Sequence, residues 1–236
     1  MATRLDRKLV AETALGLLND VGLEGLTLRR IAKELDVKAP ALYWHFKNKQ
    51  ELLDEMATVL LGQMTAPVTG AGDGSAGGSG ERFNDGCGDG SAGGDWRAML
   101  TAACRQTRHT LLRYRDGGKV FGGTRLRDQA LLRPMETLLT AMRGAGFTTE
   151  RAARAWFTTY AYTIGYVIEE QSVFPVPGDS HRDPAYDQQE RERSVGADYP
   201  LTAAAGVEMF GDTARGFEDG LRAVVAGIEA ALLHGE

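Results

Sequence analysis

Apolar residues recur every three or four positions near the start of the chain, the spacing of helices that bury one face. The first group consists of Leu9, Val10, Ala14, Leu17, Leu18 and Val21. This group predicts a helix over residues 7–21, and Gly22 supplies the left-handed backbone that ends it. Thr27 is a favourable N-cap for a second helix that buries Ile31 and Leu35.

Two further helices are predicted directly after the second. Asp36 makes the turn, because aspartate tolerates left-handed backbone better than most residues. Pro40 fits the first turn of a third helix, where its missing N–H does no harm. Asn48 and Glu51 have the spacing of a capping box, which predicts the start of a fourth helix.

Aromatic and basic side chains mark the outer face of the third helix. Because Leu42 and Phe46 point inward at helical spacing, the residues between them face outward or sideways. Two short helices joined by a tight turn, with such a face on the second, have the layout of a DNA-binding helix-turn-helix. Hydroxyl, imidazole and ammonium groups on this face suit phosphate contacts. The predicted DNA contacts are Thr27, Arg29, Lys38, Ala39, Pro40, Ala41, Tyr43, Trp44, His45 and Lys49.

Two of these residues carry more specific expectations. Arg29, at the start of the second helix, is placed to bind a guanine edge with two hydrogen bonds. For Trp44 an alternative stays open, in which the indole packs against the first and fourth helices instead of facing DNA.

The charge of the chain is divided unevenly. Residues 1–50 hold nine Lys or Arg against six Asp or Glu, a net charge of +3, whereas the remainder holds 18 against 26, a net charge of −8. Attraction to nucleic-acid phosphates is therefore expected only in the first fifty residues. Chance variation on a solvated surface would give the same division, so charge alone does not establish DNA binding.

Other classes of protein receive little support from the sequence. No run of about 18 apolar residues predicts a membrane span, and we expect a cytoplasmic protein without a membrane partner. Cys87 and Cys104 lack the spacing of a disulfide framework or a zinc site. The four histidines are scattered, and no nucleophile elbow or nucleotide loop occurs. We therefore expect no catalytic residues, no metal site and no other cofactor.

Helical spacing of apolar residues continues through the rest of the chain. The predicted helices cover residues 95–114, 134–144, 148–173 and 204–233. Pro134 either begins or kinks its helix. The last segment is apolar over a wide face and needs a partner, which a homodimer would supply.

Two stretches have the composition of segments that connect helices. Residues 70–94 hold eleven of the thirty glycines, and the string GDGSAGG occurs at 72–78 and again at 88–94, which is typical of a flexible linker. The polar, proline-containing stretch from Phe174 to Pro200 predicts a second mobile connection, with one short helix after Pro184.

Three blocks of sequence carry a specific resemblance. They are GLTLRRIA at 25–32 with LYWHFKNK at 42–49, RYRDGGKV at 113–120 with GTR at 123–125, and TIGYVIEEQ at 163–171. In these blocks the chain resembles the TetR family, and in particular its tetracycline repressors. The resemblance covers nearly the whole chain apart from about residues 68–94 and 172–200.

The resemblance implies an all-α fold. A three-helix helix-turn-helix head would occupy residues 1–48, and a ligand-binding and dimerisation body residues 49–236, with a flexible glycine-rich loop at about 68–94. The body would form a homodimer through a four-helix bundle. Such a dimer places its heads about 34 to 36 Å apart on DNA, so its operator is a palindromic double-stranded site.

The resemblance also assigns an effector site, position by position. Where the tetracycline repressors have a histidine that coordinates the drug's magnesium, this chain has Phe121, which cannot ligate a metal. Polar drug anchors are replaced by Thr65, Ala103 and Thr137. A buried hydrogen-bonding site is specific because its polar groups must find partners on the ligand. Since those polar groups have changed here, the changes argue against magnesium-tetracycline as the effector.

Other parts of that site are retained or have become aromatic. Thr124 and Arg125 occupy the positions of the two residues that move on induction in the tetracycline repressors. Glu169 occupies the position of a carboxylate that assists the metal through a water molecule in those repressors. Aromatic walls suit a flat, multi-ring effector, although the same side chains would serve equally as core or interface. The predicted ligand contacts are Thr65, Ala103, Thr107, Phe121, Thr124, Arg125, Thr137, Trp156, Tyr160 and Glu169.

The sequence thus predicts a repressor that responds to a small-molecule effector. The effector would be aromatic or polycyclic and antibiotic-like, and the regulated gene an exporter or a resistance gene. Two alternatives stay open: a DNA-binding regulator that senses no small molecule, and a tetracycline-responsive repressor despite the altered pocket.

Overall fold

A computed structural model describes residues 5–65, 94–125, 132–195 and 197–233. These residues form helices and connecting turns, without a strand. The helices are α1 (Arg7–Gly25), α2 (Leu28–Glu34), α3 (Ala39–Tyr43), α4 (Lys49–Thr65), α5 (Trp96–Leu112), α6 (Gly117–Phe121), α7 (Leu132–Gly144), α8 (Thr149–Val173), α9 (Gln188–Val195), α10 (Pro200–Phe210) and α11 (Thr213–Ile228). The predicted all-α class is confirmed, while Cys87 and the glycine-rich loop, except Gly94, lie outside the described residues.

The three-helix head follows the predicted elements. Gly22 has a φ of 65° and interrupts α1, but helical geometry resumes and α1 ends at Gly25 rather than at residue 21. The Thr27 hydroxyl caps α2 by accepting a hydrogen bond from the Arg30 N–H at 3.3 Å. Asp36 makes the turn with a φ of 51°, the left-handed backbone expected from its residue type.

The predicted capping box at the start of α4 is present in modified form. Asn48 Oδ1 accepts a hydrogen bond from the Glu51 N–H at 2.9 Å. The Glu51 carboxylate returns to the Lys47 N–H at 3.0 Å, one residue earlier than in the usual arrangement. Both bonds hold the turn between α3 and α4 in place.

Two hydrophobic cores hold the helices together. The first lies among α1 to α4 and extends to Phe121 of α6 and Val167 of α8. The second joins α5, α7, α8 and α11 around Trp96, Phe147 and Phe217. Because the first core includes residues of both the head and the body, the head is packed onto the body rather than tethered to it.

The C-terminal segment differs from its prediction. Instead of one helix over residues 204–233, the chain forms α10 and α11, which are separated at Gly211 and Asp212. Asp212 caps α11 by accepting a hydrogen bond from the Arg215 N–H at 2.9 Å. Val207 of α10 is 51% exposed, although the pattern placed it on the buried face. The prediction was wrong because the apolar spacing continues across a break that the Gly-Asp pair creates.

The remaining boundaries agree with the pattern. Helix α7 begins at Leu132, so Pro134 lies in its first turn and does not kink it. A 3-10 turn at Pro184–Tyr186 and α9 occupy the place of the short helix predicted after Pro184. Among the described residues, no helix is long and apolar enough to cross a membrane.

Candidate DNA-binding and effector sites

The outward aromatic face predicted for the helix-turn-helix is present. Leu42 and Phe46 are fully buried, whereas Tyr43 is 55% and Trp44 90% exposed. Helix α3 ends at Tyr43, so Trp44 and His45 lie in the turn that follows it. A tryptophan with this exposure fills no core, and the alternative in which Trp44 packs against α1 and α4 is wrong. Such an exposed indole is suited to contact a partner.

The other predicted DNA contacts lie at the start of α2 and around α3. Thr27, Arg29, Lys38 and Pro40 are exposed, and Ala39, Ala41 and His45 are half-buried. Pro40 lies in the first turn of α3, as its missing N–H favours. These positions leave hydroxyl, guanidinium and ammonium groups accessible to DNA.

Lys49 has a structural role that the sequence did not indicate. Its ammonium donates a hydrogen bond to the Leu23 carbonyl at 2.8 Å, which joins the start of α4 to the last turn of α1. The side chain is nevertheless exposed. Because an ammonium carries three donors, Lys49 has donors left for a phosphate and stays a predicted DNA contact.

The backbone N–H of Leu23 binds the body. The Leu23 N–H donates to Asp116 Oδ2 at 2.9 Å. Asn19 adds two bonds, accepting from the Arg115 N–H at 2.8 Å and donating to the Arg113 carbonyl at 3.3 Å. We call these five residues the head–body joint: Asn19, Leu23, Arg113, Arg115 and Asp116.

The joint depends on close approach at Gly22 and on a charged Asp116. A Cβ on Gly22 would lie 3.2 Å from Asp116 Oδ2 and 3.2 Å from Arg115 Nε, and the φ of Gly22 disfavours a side chain in any case. Burial acts to raise the pKa of the Asp116 carboxyl. Hydrogen bonds from the Leu23 N–H and the Lys119 ammonium outweigh burial and hold that pKa below its usual range.

Helix α6, which the sequence pattern did not predict, connects the joint to α8. Gln171 is buried on α8, and its Oε1 accepts from the Gly118 N–H at 2.9 Å. Its Nε2 donates to the carbonyls of Leu111 and Tyr114, at 3.2 and 2.7 Å. A Cβ on Gly118 would lie 2.9 Å from Ile168 Cγ1, so α6 packs directly on α8. Gln171 belongs to the third sequence block, but nothing in the pattern indicated this role.

Phe121, Trp156, Phe157 and Tyr160 form an aromatic cluster between α6 and α8. The rings of Trp156 and Tyr160 stack with centroids 5.5 Å apart and an interplanar angle of 14°. Phe121 and Phe157 approach Tyr160 to 6.4 and 6.1 Å. Burial raises the pKa of the Tyr160 hydroxyl, and Phe157 is 60% exposed. The cluster offers rings and a neutral phenol, which do not fit a magnesium site.

Thr124 and Arg125 follow α6 and contact both the aromatic cluster and α4. The Thr124 hydroxyl donates to the Phe121 carbonyl at 2.7 Å. The Arg125 N–H donates to Asp54 Oδ1 of α4 at 3.2 Å. These contacts bring two predicted effector residues next to α4, the helix that directly follows the DNA-binding head.

The other predicted ligand residues are more scattered. Ala103 and Thr107 are half-buried on α5. The Thr65 hydroxyl donates to the Leu61 carbonyl at 3.0 Å, within the last turn of α4. Thr137 is exposed on α7, and its hydroxyl donates to the Arg133 carbonyl. The structure thus brings Phe121, Thr124, Trp156 and Tyr160 together, and no contact places Thr137 beside them.

The two neighbouring glutamates of α8 lie in different surroundings. Glu169 is exposed in a single protomer. Glu170 is buried and pairs with Arg108, with Arg108 Nη2 2.6 Å and Nε 2.8 Å from the two carboxylate oxygens. The Thr213 hydroxyl donates to the same carboxylate at 2.7 Å, so Glu170 joins α5, α8 and α11. The sequence analysis missed this ion pair, because its members are 62 residues apart.

Two cavities lie elsewhere on the molecule. One of about 460 Å³ lies between α9 and α10, and one of about 330 Å³ lies beside the end of α8. None of the predicted ligand contacts lines either cavity.

Comparison with known proteins places this architecture in a family. Residues 10–56 match the model described as "Bacterial regulatory proteins, tetR family", and residues 90–232 match "Tetracyclin repressor-like, C-terminal domain". The chain belongs to the TetR family. Members of the TetR family are DNA-binding transcription factors rather than enzymes.

Individual relatives cover nearly the whole length of this TetR-family chain. The class A tetracycline repressor protein from transposon 1721 of Escherichia coli is 35% identical over 96% of this chain and 91% of its own. A TetR variant from Acinetobacter baumannii AYE in complex with minocycline is 30% identical, with a TM-score of 0.67, over 96% of this chain and 94% of its own. BioQ, crystallised with its natural double-stranded DNA operator, is 26% identical, with a TM-score of 0.57, over 96% of this chain and 99% of its own.

Proposed function

We propose that this TetR-family protein is a repressor that binds a palindromic operator as a homodimer and leaves it when an aromatic or polycyclic effector binds. The exposed Tyr43 and Trp44 support DNA binding by the head. The similarity to one relative crystallised with its operator, and to another in complex with minocycline, supports both halves of the cycle.

The position of α6 carries the proposal. Asp116, directly before this helix, binds the head at Leu23, and Phe121, its last residue, belongs to the aromatic cluster. A ligand that displaces the Phe121 ring therefore moves a five-residue helix whose other end holds the head. Suppose that the ligand binds better to a state with the heads displaced than to the operator-bound state. Saturating ligand then lowers the operator affinity by the ratio of these two ligand affinities.

A second route from the effector region reaches α4. The bond between the Arg125 N–H and Asp54 ties the segment after α6 to the second turn of α4. That helix also carries Lys49, a predicted phosphate contact. Movement of α6 would thus shift both α1 and α4, the two helices that frame the recognition segment.

The large apolar side chains that a single protomer leaves exposed support the proposed homodimer. Phe157 of α8 is 60% exposed, and Leu201 and Met209 of α10 are similarly uncovered. Large exposed apolar side chains in a soluble domain mark an association surface. A two-fold dimer then requires an operator with the same symmetry, with half-sites about 34 to 36 Å apart.

The proposal is tested by selecting an operator from random DNA duplexes and measuring its release by fluorescence anisotropy. The probes are a panel of aromatic and polycyclic compounds, together with tetracycline in the presence and absence of magnesium. We expect release by a metal-independent aromatic compound, and a selected sequence with two-fold symmetry. Light scattering of the free protein should give the mass of a dimer.

Other outcomes would favour the alternatives. Release only by tetracycline with magnesium would make the protein a tetracycline-responsive repressor in spite of Phe121. Operator binding that no compound weakens would favour a regulator without a small-molecule effector. In the proposed cycle the regulated gene encodes an exporter or a resistance protein, and reporter fusions to the genes beside the coding sequence would check this.

A further inference from the structure

Arg7, the first residue of α1, binds the segment that presents the predicted DNA contacts. Its Nε donates to Glu55 Oε2 of α4 at 2.8 Å, and Nη1 donates to the backbone carbonyl of His45. The guanidinium also lies 4.4 Å from the centroid of the Phe46 ring. One side chain thus joins α1, the turn after α3 and α4.

The chemistry of these contacts requires an arginine. The guanidinium is planar, carries five donors and stacks on aromatic rings, so it can bind two acceptors and a ring face together. Lysine keeps the charge but has no planar fork. Phe46 is fully buried, so the ring on which Arg7 stacks is itself fixed in the first core.

The contact to the His45 carbonyl acts on the turn that follows α3. Within this turn the N–H groups of His45 and Phe46 donate to the Leu42 carbonyl, at 3.0 and 2.9 Å. Arg7 adds a bond from outside the turn, directly after the exposed Trp44. Since Trp44 covers no core, the backbone around it is held by such bonds rather than by packing of the indole.

We propose that Arg7 is a positioning residue for operator recognition, which orients the turn carrying Trp44 and His45 without contacting DNA itself. The inference rests on the proposed DNA-binding role of the head. Glu55 argues for positioning over direct contact, because a carboxylate 2.8 Å from the guanidinium neutralises it and repels a phosphate.

The test compares variants of the full-length protein in binding to the selected operator and to a random duplex over a range of salt concentrations. The variants are Arg7→Lys and Glu55→Gln. The matched control is Lys8→Ala, which removes one positive charge at the neighbouring exposed residue. Measurements are made well below the unfolding temperature of every variant.

The positioning role predicts a specific pattern of affinities. Arg7→Lys and Glu55→Gln should each weaken operator binding about five- to tenfold, the scale of one lost hydrogen bond. The salt dependence and the affinity for random duplex should stay within about twofold of wild type, because the number of phosphate contacts is unchanged. Lys8→Ala should leave the preference for operator over random DNA unchanged.

Direct phosphate contact predicts the opposite pattern and would overturn the proposal. In that case Arg7→Lys binds like wild type, and Glu55→Gln binds both duplexes more tightly. A purely structural role lowers the unfolding temperature of Arg7→Lys but leaves its binding to both duplexes at the wild-type value, because every variant is folded at the measuring temperature, and this also overturns the proposal. If wild type binds no selected duplex, the proposed function fails; if wild type binds and Arg7→Lys binds equally well, only this inference fails.

Discussion

The head and the body present the side chains proposed to bind DNA and effector in opposite ways. In the head, Tyr43 and Trp44 are consecutive in the sequence, and both are exposed. In the body, Phe121, Trp156 and Tyr160 come from two helices and are wholly or partly buried against one another. The rings proposed to bind DNA in the head therefore contribute little to folding stability. The rings proposed to bind the effector in the body also contribute to that stability.

This difference explains why one site is easier to infer than the other. In the head, Leu42 and Phe46 point inward at helical spacing, so the residues between them in the sequence must face outward or sideways. A site assembled from α6 and α8 depends on how the helices meet. The resemblance supplied Phe121, the aromatic residue type suggested Tyr160, and the 6.4 Å between their ring centroids shows that the two are adjacent.

The largest expected effect comes from the buried ion pair of the body. Glu170→Leu leaves the half-buried guanidinium of Arg108 without its carboxylate, so the free energy of unfolding should fall by about 3 to 5 kcal/mol. Adding Arg108→Met should recover most of the loss, because no uncompensated charge remains. Urea unfolding of the single and double variants measures both values.

A matched control for this variant lies one residue earlier. Glu169→Gln changes an exposed carboxylate, so stability should change by less than about 0.5 kcal/mol. Equal losses for Glu169→Gln and Glu170→Leu would contradict the different roles assigned to these neighbours.

In the head, Trp44→Ala should affect binding and leave stability intact. Operator affinity should fall about tenfold, equivalent to about 1.4 kcal/mol, with unfolding within about 0.5 kcal/mol of wild type. Phe46→Ala, two residues later, should instead lose about 3 to 5 kcal/mol of stability, because its ring is fully buried. Anisotropy titrations and urea unfolding separate the two. A Trp44→Ala protein that unfolds as easily as Phe46→Ala would break the comparison between head and body.

In the aromatic cluster, Trp156→Leu should weaken effector binding by about 0.5 to 1.5 kcal/mol, because it removes the ring stacked on Tyr160. Operator affinity without effector should stay at the wild-type value. The control Trp156→Phe keeps a ring and should retain more of the effector affinity. Isothermal titration with the compound found in the release assay measures both variants, and an unchanged affinity for Trp156→Leu would place the effector elsewhere.

The smallest expected effect concerns Asp116 in the head–body joint. Its folded pKa lies below the ordinary value of 3.8, so the charged form adds stability above that pH, and this stability is lost as pH falls through the folded pKa. Asp116→Asn should cost about 0.5 to 1 kcal/mol near neutral pH. The difference from wild type should shrink as pH falls below 3.8 and Asp116 takes up a proton. Urea unfolding between pH 3 and pH 6 gives the two profiles, and parallel profiles would show that the charge of Asp116 does not contribute.

Much of the head could be predicted because its signals are local. The cap at Thr27, the turn at Asp36 and the place of Pro40 in the first turn of α3 depend on backbone preferences within a few residues. In the C-terminal segment the same kind of signal is present at Asp212, which caps α11, but the apolar period continues across it and predicts one helix in place of α10 and α11. The ion pair of Arg108 and Glu170 carried no local signal at all.

The sequence by itself determined the helices of the head, which residues of the recognition segment face outward and to which family the chain belongs. These properties follow from periodicity, capping and short strings of residues, all of which act over a few positions. Only the tertiary structure showed that Arg7 holds the turn after α3, that Leu23 and Asp116 join head to body, and that Gln171 secures α6. Those contacts link residues 38 to 93 positions apart, and their geometry depends on how whole helices pack, which no local pattern specifies.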